Sequence, residues 1–144
     1  MTWTLELPYE RPPKGLHAND RCHWRVRARS AKELRERVAV LCRAAKIPKL
    51  QRISVQVVWV VPTRHKRDED GPDPMCKVVY DAIGSDRGVS ARIVQDDTKE
   101  FMDKPRLVIE HQPGELAHFR VEITDVSNPF RPEQVDQLTK ERLT

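Results

Sequence analysis

The residues that could do chemistry gather in one stretch of the chain. Asp68-Glu69-Asp70 is followed by Asp73, Lys77 and Asp81, and then by Asp96-Asp97. Carboxylates at strand ends that converge on one point suit Mg²⁺, a hard cation that takes oxygen ligands in octahedral geometry and keeps several waters. One or two such ions activate a water and stabilise the leaving oxygen in phosphodiester hydrolysis. Lys77, one turn into the helix expected after the acidic loop, is placed to offset charge building on a phosphate. The same acids also read as a solvated turn and a loop ahead of a strand pair, because short acidic turns are common. A calcium EF-hand is excluded, since Pro72 and Val79 fall where oxygen ligands are required.

Positioning these groups takes strands and helices that the patterning predicts. Thr2 to Leu7 alternates polar and apolar residues and reads as a short strand ended by Pro8. Residues 8–29 read as a long loop, of the kind that is functional or disordered. Ser30 and Glu33 form a capping box, so a helix is expected over Ala31–Lys46 with Leu34, Val38, Leu41 and Ala45 inward, stopped by Pro48. Residues 51–61 make the clearest strand, with Ile53, Val55, Val57, Trp59 and Val61 on one face. Asp73 and Pro74 read as N-cap and first residue of a helix to Ile83, with Met75, Val78, Val79 and Ala82 inward and Lys77 and Asp81 sharing a face. Ile93-Val94 is a short apolar step before Asp96-Asp97. Segments 106–112 and 116–126 alternate around Pro113-Gly114, a hairpin signal. The predicted fold is therefore α+β, a mixed sheet of about four strands with two main helices. Residues 1–126 form one domain, and 127–144 are a C-terminal extension, helical from Pro132 or a loose tail.

Charge divides the chain. Residues 1–67 hold 16 Lys and Arg against 5 Asp and Glu, whereas residues 68–144 hold 10 against 17. A basic half suggests a polyanion partner, of which nucleic acid is the commonest, although paired surface charges give the same composition. Arg21, His23, Trp24, Arg25, Arg27 and Arg29 form a basic stretch suited to phosphate contact, as do Arg64, His65, Lys66 and Arg67. Trp24 reads first as a core anchor closing the loop on the sheet, and otherwise as a platform for an unpaired base. His23 reads as a structural histidine or a general base. At 144 residues with three cysteines of no ligand spacing (Cys22, Cys42 and Cys76), the chain reads as a reduced single-domain protein. No apolar run exceeds the five residues of Val57–Val61, and Met1–Leu5 lacks a signal-peptide pattern, so no membrane role and a cytoplasmic location are expected.

The order of these motifs resembles the RusA family of Holliday junction resolvases. Arg67-Asp68-Glu69-Asp70, Pro74, Lys77, Asp81 and Asp96-Asp97 are similar to the family's acidic pattern, in the form with a Pro ahead of the Lys found in actinobacterial phages and prophages. Asn19-Asp20-Arg21-Cys22-His23-Trp24 is similar to its Asn-x-Arg-x-His-Trp signature. The likeness spans about residues 3–125. It implies a RusA-like fold and a crossover junction endodeoxyribonuclease, a homodimer that resolves four-way DNA junctions by paired symmetric nicks in recombination and repair. Two-fold symmetry suits such a junction. The implied cofactor is Mg²⁺, with Mn²⁺ as a substitute. Asp68, Asp70 and Asp97 would be metal-binding catalytic carboxylates, with Asp96 supporting, and Lys77 would contact the scissile phosphate. One departure is Gly71, where the family has Asn; it suggests the alternative of a protein that binds branched DNA without cutting. A further reading, from a different class, is a phage structural or assembly protein associating head to tail through its charge asymmetry.

Overall fold

The computed structural model describes residues 1–127. The C-terminal extension expected over 127–144 lies, apart from Ser127, outside the described residues. Five strands and two helices run in the order β1 (Thr2–Leu7), α1 (Trp24–Ala44), β2 (Ile53–Val61), α2 (Asp73–Ile83), β3 (Met102–Asp103), β4 (Val108–His111) and β5 (His118–Asp125). The α+β class and mixed sheet agree with the sequence expectation, with one strand more than anticipated.

β2 lies inside the sheet because it is buried on both faces along most of its length. β5 pairs antiparallel with one edge of β2, and β1 pairs antiparallel with the far side of β5. β3 and β4 pair parallel to the other edge of β2, at its beginning and its end respectively. The hairpin expected around Pro113-Gly114 is therefore corrected. β4 and β5 do not pair with each other; they flank β2 on opposite sides, and the intervening turn, with Gly114 at φ 86°, crosses the end of β2. Burial alternates along β5 but not along β4, and each strand pairs with β2 rather than with its sequence neighbour.

One face of the sheet presents Leu5, Leu7, Val55, Val57, Trp59, Phe119, Val121 and Ile123 to the helices. Trp59 and Phe119 are cross-strand partners and their rings stack at 5.2 Å. α1 contributes Leu34, Val38 and Cys42 to this core, and α2 contributes Met75, Cys76, Val79, Ala82 and Ile83. Ala39 is also buried on α1, whereas the expected Ala45 is exposed because it ends the helix. Val78 is only half-buried.

The boundaries of α1 also differ from expectation. It begins at Trp24, not Ala31, with Ser30 and Glu33 in its interior. His23 is the cap: its Nδ1 accepts a hydrogen bond from the Arg25 amide at 3.2 Å. Arginine is a good helix former, so the basic stretch continues the helix rather than ending as loop. At the start of α2, Asp73 is the first helical residue rather than the cap, and its amide donates to the Asp70 carbonyl at 3.1 Å. The next free donor, Met75 N–H, is met by the Leu16 carbonyl at 3.1 Å. The N-terminal loop thus caps α2 from outside.

Candidate functional site

α2 carries Lys77 and Asp81 one turn apart on one face, as the spacing predicts, and the two pair at 3.1 Å. The chain then leaves α2 through residues 84–92, a polar loop fastened to α1. Arg35 donates to the Arg87 and Val89 carbonyls, and Arg43 to the Ser90 carbonyl. Ser90 Oγ accepts from the Ser85 and Arg92 amides, which closes the loop on itself. Ile93 and Val94 are buried beyond it, but in a bend rather than a strand, so Asp96-Asp97 does not sit at a strand end as expected. Their burial nevertheless brings Asp97 to Lys77 across 20 residues: Nζ to Oδ2 is 2.6 Å. Lys104, just after β3, approaches the same oxygen at 3.6 Å.

Asp97 is nine-tenths buried, and its surroundings set its charge. Burial pushes the carboxyl up, but the hydrogen bond from Lys77 and the charge of Lys104 outweigh it and hold Asp97 below the usual carboxylate range. The same bond to Asp97 leads the causes that raise Lys77. Both groups are ionised at neutral pH. Asp96 lies beside Asp97, its Oδ1 accepting from the Asp97 amide at 2.8 Å.

The other acidic group faces a different cation. Arg106 pairs with Asp70 at 3.1 Å and with Glu69 at 3.2 Å. Asp68 turns inward on its own loop, accepting from the Asp70 amide at 2.9 Å. Carboxylate oxygens are the donors Mg²⁺ prefers. Yet among the described residues no three His, Cys, Asp or Glu side chains lie together as a metal cage. Asp70 and Asp97 are each engaged by side-chain cations, so Asp68, Asp70, Asp96 and Asp97 as placed do not fit a preformed Mg²⁺ site. Lys104 and Arg106 complete this arrangement and escaped the sequence reading. They flank Pro105 just after β3, and a two-residue strand is too short for periodicity to single out its neighbours.

Gly71 has a steric reason. It is buried, and a Cβ there would overlap the His17 ring. Its carbonyl accepts from the Ala18 amide at 2.8 Å, which fastens the acidic loop to the N-terminal loop.

The basic residues divide into two kinds. Arg21, His23, Trp24, Arg25, Arg27, Arg29, Arg64 and Lys66 are exposed. Among the described residues, no carboxylate lies within ion-pair distance of any of the arginines or the lysine in that group. Trp24 is 67% exposed, which overturns its reading as a core anchor; it carries Arg25 5.4 Å above its ring. Arg67 is instead half-buried. It donates to the Thr63 and His65 carbonyls and lies over Trp59 at 5.6 Å.

No helix among the described residues is long and apolar enough to cross a membrane. No protein-family model matches the chain, and no curated protein matches it.

Proposed function

We propose that this chain is a structure-selective endonuclease that cuts branched DNA, as the RusA resolvases it resembles do, acting as a homodimer in the cytoplasm. The observation that carries the reading is the Lys77–Asp97 contact at 2.6 Å. Both residues are among the site residues that the motif order names, with Asp68, Asp70 and Asp96, and they come from separate segments of the chain. In this reading Asp97 holds Lys77 charged and aimed, and Lys77 meets the phosphate and offsets charge in the transition state. The exposed cations at the start of α1 and in residues 64–66 contact flanking phosphates, largely by shape and spacing. Mg²⁺, with Mn²⁺ as substitute, is the cofactor that the resemblance implies for cleavage, and the carboxylates would have to exchange their Arg106, Lys77 and Lys104 contacts to hold it.

A second reading has its own observation. Asp70 and Asp97 are neutralised by Arg106, Lys77 and Lys104, which suits a protein that holds branched DNA without cutting it. Cleavage by the wild-type protein separates the two, and Asp97→Asn tests the site. On the first reading, cleavage of a synthetic four-way junction falls by at least about a hundredfold, while binding measured in EDTA stays within about twofold. An Asp97→Asn protein that cuts at the wild-type rate removes the site assignment, and wild-type protein that binds tightly without cutting transfers the weight to the second reading.

A further inference from the structure

A cavity of about 490 Å³ opens where the N-terminal loop meets the sheet, lined by Arg11, Pro12, Lys14, His17, Asp20 and Trp59. Its walls are held from several sides. Asp20 Oδ2 accepts from the Gly15 amide at 2.8 Å and the His17 amide at 3.3 Å, so its charge is spent on the loop itself. Gly15, at φ 90°, lets the loop lie directly against the Arg27 backbone. Ala18 and Leu16 bond to Gly71 and Met75, joining the cavity wall to the acidic loop and to the start of α2. Trp59 stacks on Phe119, carries Arg67, and donates its indole N–H to the Glu10 carbonyl at 3.0 Å, so it is a fixed apolar wall.

The cations are the unexplained part. Arg11 and Lys14 are exposed, and among the described residues neither has a carboxylate within ion-pair distance. Two free cations beside an apolar wall fit a ligand with an anionic end and a flat or sugar-like body. The volume falls within the range of small-molecule sites, roughly 300–1,000 Å³, and suits one nucleotide rather than a duplex. A cavity of about 620 Å³ on another part of the surface, bounded by Leu7, Leu41 and Leu116, sets Glu6 and Glu10 against Arg37 and His118, so its lining holds both signs of charge.

We propose that this cavity receives one nucleotide of a bound DNA strand, its phosphate on Arg11 and Lys14 and its sugar and base edge along Trp59. The inference rests on the nucleic-acid reading above for the source of the nucleotide. Because His17 packs over Gly71, the pocket adjoins the acidic loop and would hold a strand unpaired near the branch point.

The experiment uses thymidine 3′,5′-bisphosphate as probe and inorganic phosphate as its comparison, each titrated into ¹⁵N-labelled protein. The chain has three tryptophans, so three indole N–H signals report on three places. The expected result is a saturable shift of the Trp59 indole and the Gly15 and His17 amides with the nucleotide, and a much weaker response to phosphate alone. In Arg11→Ala/Lys14→Ala the affinity should fall at least about tenfold. Both side chains are exposed, and the double variant's own spectrum reports whether it is folded; Arg11→Gln/Lys14→Gln repeats the test if it is not. Equal shifts with phosphate alone, shifts that survive in the folded double variant, or no shift in protein that still binds a four-way junction would each overturn the pocket. Loss of junction binding in the wild-type protein, with the nucleotide shifts intact, would overturn the DNA reading and leave the pocket standing.

Discussion

Gly71 is buried against the His17 ring. The family that the chain resembles has Asn there, and an Asn in the turn adds a side-chain donor and acceptor that glycine lacks. The fold opposes one here, because the His17 ring occupies the space of a Cβ. Gly71→Asn is expected to lower stability by about 1–3 kcal/mol through overpacking, and to disturb His17 before it improves any chemistry. Denaturant unfolding checks this, and an unchanged midpoint would mean that the His17 ring gives way freely. Sequence alone named Asp97 and Lys77 and the partnership of Lys77 with Asp81, because a helical period and two adjacent aspartates are local signals. It could not name Lys104 or Arg106, whose roles depend on where a two-residue strand docks. Nor could it see that the carboxylates are shared out among cations rather than gathered.

At the scale of elements, the strands were more legible than their pairing. Alternation marked β1, β2 and β5, but alternation carries no information about which strand lies alongside. The two-sided burial of β2 decides that, drawing β4 to one edge and β5 to the other. The start of α1 was hidden by a Ser30–Glu33 pair that resembles a cap and lies inside the helix, while the true cap is a histidine ring. The far end of α1 is a cleaner case. Ala45 closes the helix, and Lys46 comes next in the left-handed region at φ 56°, where glycine is preferred. Lys46→Gly should therefore raise stability by about 0.5–1 kcal/mol, the relief of left-handed strain exceeding the added freedom of the unfolded chain. A thermal melt that moves downward would contradict this.

For the whole molecule, one core joins the sheet face to both helices, and its thiols report on its integrity. Burial pushes Cys42 up to about 12 from 9.0. The folded state therefore keeps a proton that the unfolded state has lost between those values. Stability should fall as pH rises through that window, by about 1.4 kcal/mol per pH unit per thiol. Cys76, raised to about 12 chiefly by burial, adds to the same slope. Urea unfolding at pH 8 and pH 10.5 should show the loss, and Cys42→Ala should reduce it; an equal slope in the variant would contradict the assignment. The charge division of the sequence survives in the fold as exposed cations on the first turns of α1 and in residues 64–66, while Glu69, Asp70, Asp81 and Asp97 of the acidic half pair with Lys or Arg.

The central claim, cleavage of branched DNA, is tested most directly with purified protein and a synthetic four-way junction labelled on one strand at a time, in Mg²⁺ or in EDTA. The account predicts paired nicks placed symmetrically about the crossover, present with Mg²⁺ and absent with EDTA, and binding in both. Tight binding with no cut in either Mg²⁺ or Mn²⁺ would contradict it.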